Sequence, residues 1–305
     1  MKPIVTVGLC VKNNEATIKE AVESIVNQDF PHELMEVIVV DGCSKDQTLS
    51  IIKEAFSKTD IKVRVFSENK GLGFARQIVV DNALGKYILW VDGDIILSKN
   101  YVKQHVDFME QHPDVAIAVG SFGFLPDENL VAFLENISYV VASFRHRGKS
   151  TSKLLGTEGS ILRIEAVRMV GGFDPNIKGA REDTELAYRI KSAGWKFHKT
   201  NAILCERQRR TWSDLWKQYF WYGYGLHFVQ HKNKGRNIFI DDSKDKTIIG
   251  RARTCMRISF HAYKLTLRKA AFLLPLNYIF KKTALLFGFV VAHMDDYGHE
   301  LNKSL

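Results

Sequence analysis

The first ninety residues switch repeatedly between two hydrophobic periods. Ile4 to Val11, Glu36 to Val40, Ile61 to Phe66 and Tyr87 to Val91 are short, mostly apolar runs rich in β-branched residues. Such runs predict strands buried on both faces. Between them, Glu15 to Asn27 sets Ile18, Ala21, Val22 and Ile25 at helical spacing, with Asn13 or Asn14 as a cap. A second helix, capped by Ser44 or Asp46, runs through Leu49, Ile52 and Ala55, and a third covers about Phe74 to Ala83. Strands alternating with helices predict an α/β fold with a mostly parallel central sheet and helices on both faces. Ligands of such sheets bind at the carboxyl ends of the strands. That rule gathers Val11–Glu15, Asp41–Asp46, Lys70–Gly73 and Asp92–Asp94 along one edge.

Further on, the pattern predicts a helix over 98–112, a strand over 115–120 and a helix over 129–144. A mobile polar loop is expected over 145–152, then a strand over 156–163 and a short helix over 165–170. Gly171-Gly172-Phe173-Asp174-Pro175 reads as a turn, and Glu182 to Ala193 as a helix. Trp212, Leu215, Trp216, Phe220, Trp221 and Tyr224 form an aromatic-rich helical stretch. Later, Arg253, Arg257, Lys264, Arg268 and Lys269 interleave with apolar residues. Two apolar runs of ten and nine residues, Ala271 to Phe280 and Ala284 to Ala292, are split by Lys281-Lys282. Each is shorter than the ~18–20 residues that span a bilayer. The tail suits a membrane interface, or a helical hairpin packed on the rest of the chain. The expected division is a catalytic domain over 1–228 and a basic, apolar helical region over 229–305.

Composition adds location and charge. At 46% apolar and 25% charged, the 305 residues suit a globular chain with a sizeable core. The net charge of +9 is uneven: residues 1–206 hold 25 basic and 27 acidic side chains, residues 207–305 hold 18 and 7. The basic excess points to an anionic ligand or an anionic membrane surface in the last third. Cys10, Cys43, Cys205 and Cys255 are scattered and match no disulfide or metal spacing. With no apolar leader at the start, a cytoplasmic setting is expected, peripheral on the membrane's cytoplasmic face if the tail binds lipid.

The candidate chemistry centres on Val91-Asp92-Gly93-Asp94, at the end of a buried strand. Two carboxylates there are costly unless paired or bound to a cation. Hard cations such as Mn²⁺ and Mg²⁺ take oxygen ligands, typically one or two carboxylates with substrate phosphates. The competing role is a strand-end turn in which both acids bond backbone N–H groups.

In order along the chain stand Val11-Lys12-Asn13-Asn14-Glu15, Val39-Val40-Asp41-Gly42-Cys43-Ser44-Lys45-Asp46, and Asn69-Lys70-Gly71-Leu72-Gly73-Phe74-Ala75-Arg76. Asp92-Gly93-Asp94, Gly171-Gly172-Phe173-Asp174, and Arg181-Glu182-Asp183-Thr184-Glu185-Leu186 with Arg189 follow. Over roughly residues 3–225 the set resembles glycosyltransferase family 2, whose members adopt the GT-A fold. The resemblance implies a metal-dependent, inverting transfer of sugar from a nucleoside-diphosphate donor to an acceptor hydroxyl. It implies Asp183 as catalytic base beside Glu182, with Asp94 and Asp92 at a Mn²⁺ or Mg²⁺ ion; where the family's His is missing, Glu206 could substitute as the third ligand. It implies donor contacts from Val11, Asn13, Glu15, Asp41, Lys70, Gly71, Arg76, Asp92, Gly93 and Arg207. The base assignment is chemically sensible, because an alcohol nucleophile needs general-base help at neutral pH. Each residue also has a plainer role: an Asx-turn for Asp41, a helix-start acid for Glu15, a dipole-complementing pair for Glu182 and Asp183.

The chain departs from the family pattern in three places. Ile96 stands where some relatives acting on polyprenyl phosphate carry Gln. No His follows Ile203-Leu204-Cys205, where Glu206-Arg207-Gln208-Arg209-Arg210 stands instead. Thr211 breaks the Gln-x-x-Arg-Trp of processive relatives, which implies a non-processive enzyme. A glycan or a lipid-linked molecule is the expected acceptor, bound by loops around 145–160 and 206–225. The alternatives are a catalytically silent nucleotide-binding scaffold of the same fold and a sugar nucleotidyltransferase. The latter needs a Gly-rich phosphate loop after the first strand, and Val11–Glu15 has no glycine. Gly71-x-Gly73 lacks the third glycine of a dinucleotide fingerprint, and no nucleic-acid module is recognisable, so no nucleic-acid partner is expected.

Overall fold

A computed structural model describes residues 2–127, 129–151, 153–177, 180–232 and 248–297. The first strands and helices are β1 (Val5–Val11), α1 (Ile18–Val26), β2 (Met35–Asp41), α2 (Thr48–Phe56), β3 (Lys62–Ser67), α3 (Leu72–Asn82) and β4 (Tyr87–Trp90). Then come β5 (Ile95–Leu97), α4 (Tyr101–Gln111), β6 (Val115–Phe122), α5 (Leu130–His146), β7 (Lys149–Thr151), β8 (Ser160–Arg163), α6 (Ile164–Met169), α7 (Glu182–Ser192) and β9 (Lys196–Glu206). The chain continues with α8 (Trp212–Lys232), α9 (Ile248–Thr266) and α10 (Leu274–Met294).

It divides into two compact units. One comprises Met1–Gly123, His146–Lys178 and Glu182–Arg207; the other comprises Phe124–Arg145, Gly179–Arg181 and Gln208–Leu305. The expected boundary at 228/229 falls inside α8, whose unbroken helical run keeps both sides of it in one body. Residues 233–247 and 298–305 of the expected C-terminal region lie outside the described residues.

The first unit is built on one mixed sheet in the order β3-β2-β1-β4-β8-β6-β9-β5, with β7 also pairing β9. β3, β2, β1 and β4 are parallel to one another. β8 runs antiparallel to β4 and β6, and β5 and β7 run antiparallel to β9. The sheet is thus parallel in its first half and mixed in its second. Alternation along each strand feeds two cores. Val5, Val7 and Leu9 of β1 pack with α1, α2 and α4, while Ile38 and Val40 of β2 and Trp90 of β4 pack with α3, α6 and α7. The chain steps from β1 to β2 on one side and reaches β4 on the other. This reversal leaves a crevice at the strand ends, where such sheets bind ligands.

Two local expectations change. The polar stretch expected as a loop over 145–152 is the end of α5 followed by β7, whose Lys149, Ser150 and Thr151 pair with Lys199, His198 and Phe197; Ser152 lies outside the described residues. The two apolar runs of the tail join into one helical segment, Lys269–Met294, which by length and composition is able to cross a membrane. Lys281 does not interrupt it, because its ammonium lies 2.8 Å from the buried carboxylate of Glu135 on α5. Asn277 and Tyr219 donate to the same carboxylate at 2.6 and 3.3 Å. Within this second unit α8 and α10 touch backbone to backbone. A Cβ on Gly223 would sit 1.8 Å from the carbonyl oxygen of Leu285, and one on Gly288 2.0 Å from that of Phe220.

Candidate active site

The crevice is walled by loops that bond to each other. After β1, the N–H of Asn13 donates to Ser44 Oγ (2.9 Å), and Asn13 Oδ1 accepts from the N–H of Lys45 (2.9 Å). Glu15 accepts from the N–H of Gln47 (3.0 Å), and its own N–H donates to Asp46 (3.1 Å). Asn13 and Glu15, expected at the donor, therefore lock the first loop to the start of α2. The N-cap of α2 is Gln47, which makes no side-chain cap bond, and not Ser44 or Asp46 as expected; Asp46, one residue before it, accepts from the Thr48 N–H at 3.0 Å. Asp41 is buried at the end of β2, opposite Val11 in the parallel register. Its carboxylate accepts from the N–H of Ser44, three residues on, at 3.1 and 3.3 Å, a local turn one residue longer than the Asx-turn sequence left open.

Below these loops lies a cavity of about 300 Å³ lined by Cys10, Val11, Gly42, Glu68, Lys70 and Gly71, among others. Glu68 shapes it by accepting the N–H groups of Lys70 and Gly71 at 2.6 and 2.9 Å. Gly71 has φ +118°, a value that favours glycine, and it begins α3. The Lys70 ammonium lies 4.4 Å from the centre of the Phe74 ring. Burial pushes the Cys10 thiol up to about 12, so it stays protonated at neutral pH.

Arg76, on the first turns of α3, is the hub. Only 4% exposed, its guanidinium bonds Glu182 and reaches Asp92 at 3.4 Å. Trp90 and Phe173 cover it, with ring centres 5.7 and 6.0 Å from its central carbon. It is thus a buried cation paired within the protein. It ties the acid after β4 to the acid that opens α7. Glu182 is 1% exposed, and burial pushes its carboxyl up to about 7 although Arg76 pulls the other way. For Arg76, burial favours the neutral form, yet the surrounding carboxylates, Glu182 foremost, hold its pKa above the ordinary arginine range.

Asp183 points into a ring of donors. It accepts from the N–H groups of Thr157 (3.3 Å) and Thr184 (2.6 Å) and from the Thr184 hydroxyl (3.2 Å). Gly156 leaves room for it, since a Cβ there would sit 2.9 Å from Asp183 Oδ2. The Gly-Gly-Phe-Asp turn is fixed from two sides. Gln77 accepts the Phe173 N–H at 2.7 Å, and Arg189 donates to the carbonyls of Val170 and Gly172 while paired with buried Glu185. Sequence singled out neither Gly156, Thr157, Glu68 nor Gln77. Gly156, Thr157 and Gln77 meet partners from distant segments, which no local pattern reports, whereas Glu68 acts on the N–H groups two and three residues on.

Asp92 and Asp94 flank the turn after β4, with Asp94 the more buried of the two. Gly93 accepts from Thr17 at 2.7 Å and lies against Asn14, which a Cβ would meet at 2.9 Å. The carboxylates of Asp92 and Asp94 are hard oxygen donors of the kind that small divalent cations prefer. Glu206 ends β9 opposite Ile95, whereas the N–H of Arg207 donates to the Asp94 carbonyl at 2.9 Å. The Arg207 guanidinium forms a two-pronged pair with Glu20 on α1, both bonds 2.7 Å, instead of standing ready for phosphate.

A parallel half-sheet with acids at its strand ends and a second acid pair opening α7 defines a GT-A nucleotide-sugar fold. A solved mannosyltransferase from Pyrobaculum calidifontis, in complex with GDP-Man and Mn²⁺, shares it with TM-score 0.60 at 17% identity, covering 97% of this chain and 87% of that one. Staphylococcus aureus TarS does so with TM-score 0.51 at 18% identity, covering 97% and 55%. The model of glycosyl transferase family 2 matches residues 6–162, and that of glycosyl transferase family group 2 matches residues 87–294. The chain belongs to glycosyltransferase family 2, a family of enzymes. Among curated relatives, the poly(ribitol-phosphate) beta-N-acetylglucosaminyltransferase TarS of Staphylococcus aureus is 38% identical over 101 residues, 33% of this chain and 18% of TarS. The succinoglycan biosynthesis protein ExoA of Rhizobium meliloti is 27% identical over 230 residues, 72% of this chain and 68% of ExoA. The probable glycosyltransferase YdaM of Bacillus subtilis is 26% identical over 228 residues, 71% and 53%. The chain thus spans only part of the length of several relatives it matches.

Proposed function

We propose that the protein transfers a sugar from a nucleoside-diphosphate donor to an acceptor hydroxyl, non-processively and with inversion, with Mn²⁺ or Mg²⁺ held by Asp94 and Asp92. The observation that carries this reading is the Arg76 hub, which ties Asp92 of the strand-end turn to the Glu182-Asp183 pair. Nucleobase and ribose fit the cavity between Val11, Gly42 and Lys70, beside Asp41. Asp183 takes the proton of the attacking hydroxyl, its carboxylate aimed by Thr157 and Thr184. Inversion follows if the acceptor attacks the sugar carbon on the face opposite the departing diphosphate. The cation, when bound, offsets charge on the leaving diphosphate. Glu206 adjoins the residue bonded to Asp94 and is the nearest further oxygen ligand on β9. The mannosyltransferase neighbour with GDP-Man and Mn²⁺ supports a nucleotide-sugar donor and a divalent ion.

The acceptor reading rests on the second unit. Leu276, Ile279, Leu286, Phe287, Val290 and Met294 fall along one side of α10, and each is at least 45% exposed. On α9, Arg253, Arg257 and Lys264 line a groove with the apolar Met256 and Phe260. An apolar stripe with cations suits the surface of an anionic membrane, and hence a lipid-linked or membrane-proximal acceptor. A cytoplasmic, peripheral location agrees with four cysteines that are all free.

The test is release of nucleoside diphosphate from UDP- and GDP-sugars with Mn²⁺ across a panel of acceptors. Turnover lost on Asp94→Ala and on Asp183→Asn is the expected result. Nucleotide binding without turnover on any acceptor would make the chain a silent scaffold. Flotation with anionic liposomes tests the surface, and a protein left in the unbound fraction at low salt would overturn it.

A further inference from the structure

The α8–α10 pair carries a cluster that the transfer reaction does not use. His227 and His231 stand one turn apart on α8, and His293 lies near the end of α10. One nitrogen from each lies within 4.8 Å of the others. The rings of His227 and His231 stack at 4.0 Å, and His293 lies 5.3 and 6.5 Å from them. Their hydrogen bonds fix which nitrogens face inward. His227 is fully buried, and its Nδ1–H donates to the carbonyl of Tyr297 at 2.8 Å. Its Nε2 is therefore an acceptor, 3.2 Å from His293 Nδ1. His231 donates through Nδ1 to the carbonyl of His227 at 2.9 Å, which leaves its Nε2 as the second lone pair. An imidazole whose far N–H bonds a carbonyl is oriented as metal-bound histidines are.

We propose that His227, His231 and His293 form a site for a borderline divalent transition-metal ion, zinc above all. It is separate from the hard-cation site of Asp92 and Asp94. The chemistry separates the two: imidazoles suit Zn²⁺, Co²⁺ and Ni²⁺, whereas Mg²⁺ and Mn²⁺ prefer carboxylate and phosphate oxygens. Zinc–nitrogen bonds of about 2.0–2.1 Å hold ligand atoms roughly 3.4 Å apart, so the three must draw together by about an ångström. His231 is partly exposed and His293 exposed, so their side chains have room to make that adjustment. Burial against Phe289 and Tyr297 accounts for an aromatic ring at 227, but it does not call for imidazole at 231 and 293. Three nitrogens leave one position for water. The ion would staple α8 to α10 beyond the glycine contacts at Gly223 and Gly288, and its role is structural.

The test uses the full chain carrying Asp94→Ala, which removes the hard-cation site from the count. Titration with Co²⁺ should give one equivalent bound, with the visible bands of a four-coordinate nitrogen site. Zn²⁺ should displace it and a large excess of Mg²⁺ should not. His293→Ala should weaken binding at least tenfold and abolish the zinc-dependent rise in melting temperature. Because His293 is exposed, this variant is expected to fold; His231→Ala is the second arm, with circular dichroism confirming helicity in both. Absence of the bands, displacement by Mg²⁺, or unchanged affinity in folded His293→Ala would overturn the site.

Discussion

The two compact units both pair the charges they bury, but they differ in how much large apolar surface they leave exposed. In the sheet unit most large apolar residues are inside, with Leu84 and Met169 as exposed exceptions, and the charges buried with them are tied to partners: Arg76 with Glu182, Glu36 with Arg64, Glu185 with Arg189. In the helical unit, Phe260, Leu276, Ile279, Leu286 and Phe287 are more than half exposed, while Glu135 and Asn277 are buried. A water-soluble core explains the first arrangement. The second needs another surrounding, because contiguous exposed apolar surface marks an interaction site. One unit buries paired charge beneath its strand ends, and the other leaves an apolar stripe of α10 exposed.

The sharpest way to break that contrast is to ask whether chemistry and surface binding separate. Asp183→Asn keeps the side chain's size, gives up one of the two oxygens that accept from Thr157 and Thr184, and removes the proposed base, so transfer should fall by about 10²–10⁴-fold. Vesicle binding, which the proposal assigns to the helical unit, should not change. Equal loss of both in steady-state assays and flotation would show that the units do not divide the work.

Next in size is the buried hub. Arg76→Met leaves Glu182 without its partner, and removing one member of a buried pair costs about 3–5 kcal/mol. Urea unfolding at pH 8 should show that loss. Adding Glu182→Gln should recover most of it, because no buried charge then lacks compensation. A double variant as unstable as the single one would mean that Arg76 acts through its packing between Trp90 and Phe173 instead.

Glu182 alone gives a pH test. Its folded value, about 7, lies above the ordinary 4.5, so the folded state binds its proton more tightly than the unfolded state does. The resulting stabilisation is complete below 4.5 and is lost as pH rises through 7. Against Glu182→Gln, the wild type should lose on the order of 3 kcal/mol of relative stability between pH 4.5 and 8. Parallel stability curves for the two proteins would show that Arg76 already holds Glu182 ionised.

The same contrast explains what the sequence made legible. In residues 4–91 each apolar run has one destination, the core, so period alone located four strands and three helices and brought Asp41 and Asp92 to one edge. The acids were readable because a carboxylate at a strand end has few plain uses. Arg76 was not, since only the fold reveals that the residues covering it are Trp90 and Phe173. Asn13, Glu15 and Arg207 were placed at the donor by likeness, and what sequence did not report is that their side chains also bond Lys45, Gln47 and Glu20. In the helical unit the rule that apolar means inside fails. Lys281 looked like a break between two short runs, but its partner Glu135 is 146 residues away and the helix continues through it.

The smallest effect is the most direct test of the helical unit's outward face. Phe287 is 55% exposed on α10 and lies 6.2 Å, ring to ring, from both Trp216 and Phe220. Phe287→Ser removes apolar surface from the stripe while leaving the Gly223 and Gly288 contacts and the Glu135 network in place. If the stripe meets lipid, vesicle affinity should fall about tenfold, the ~1.4 kcal/mol expected for part of one aromatic side chain. Stability in solution should change little, since little buried surface is lost. If unfolding shifts strongly while vesicle affinity holds, α10 is covered by protein in the working enzyme, and its apolar side belongs to an interface with another chain.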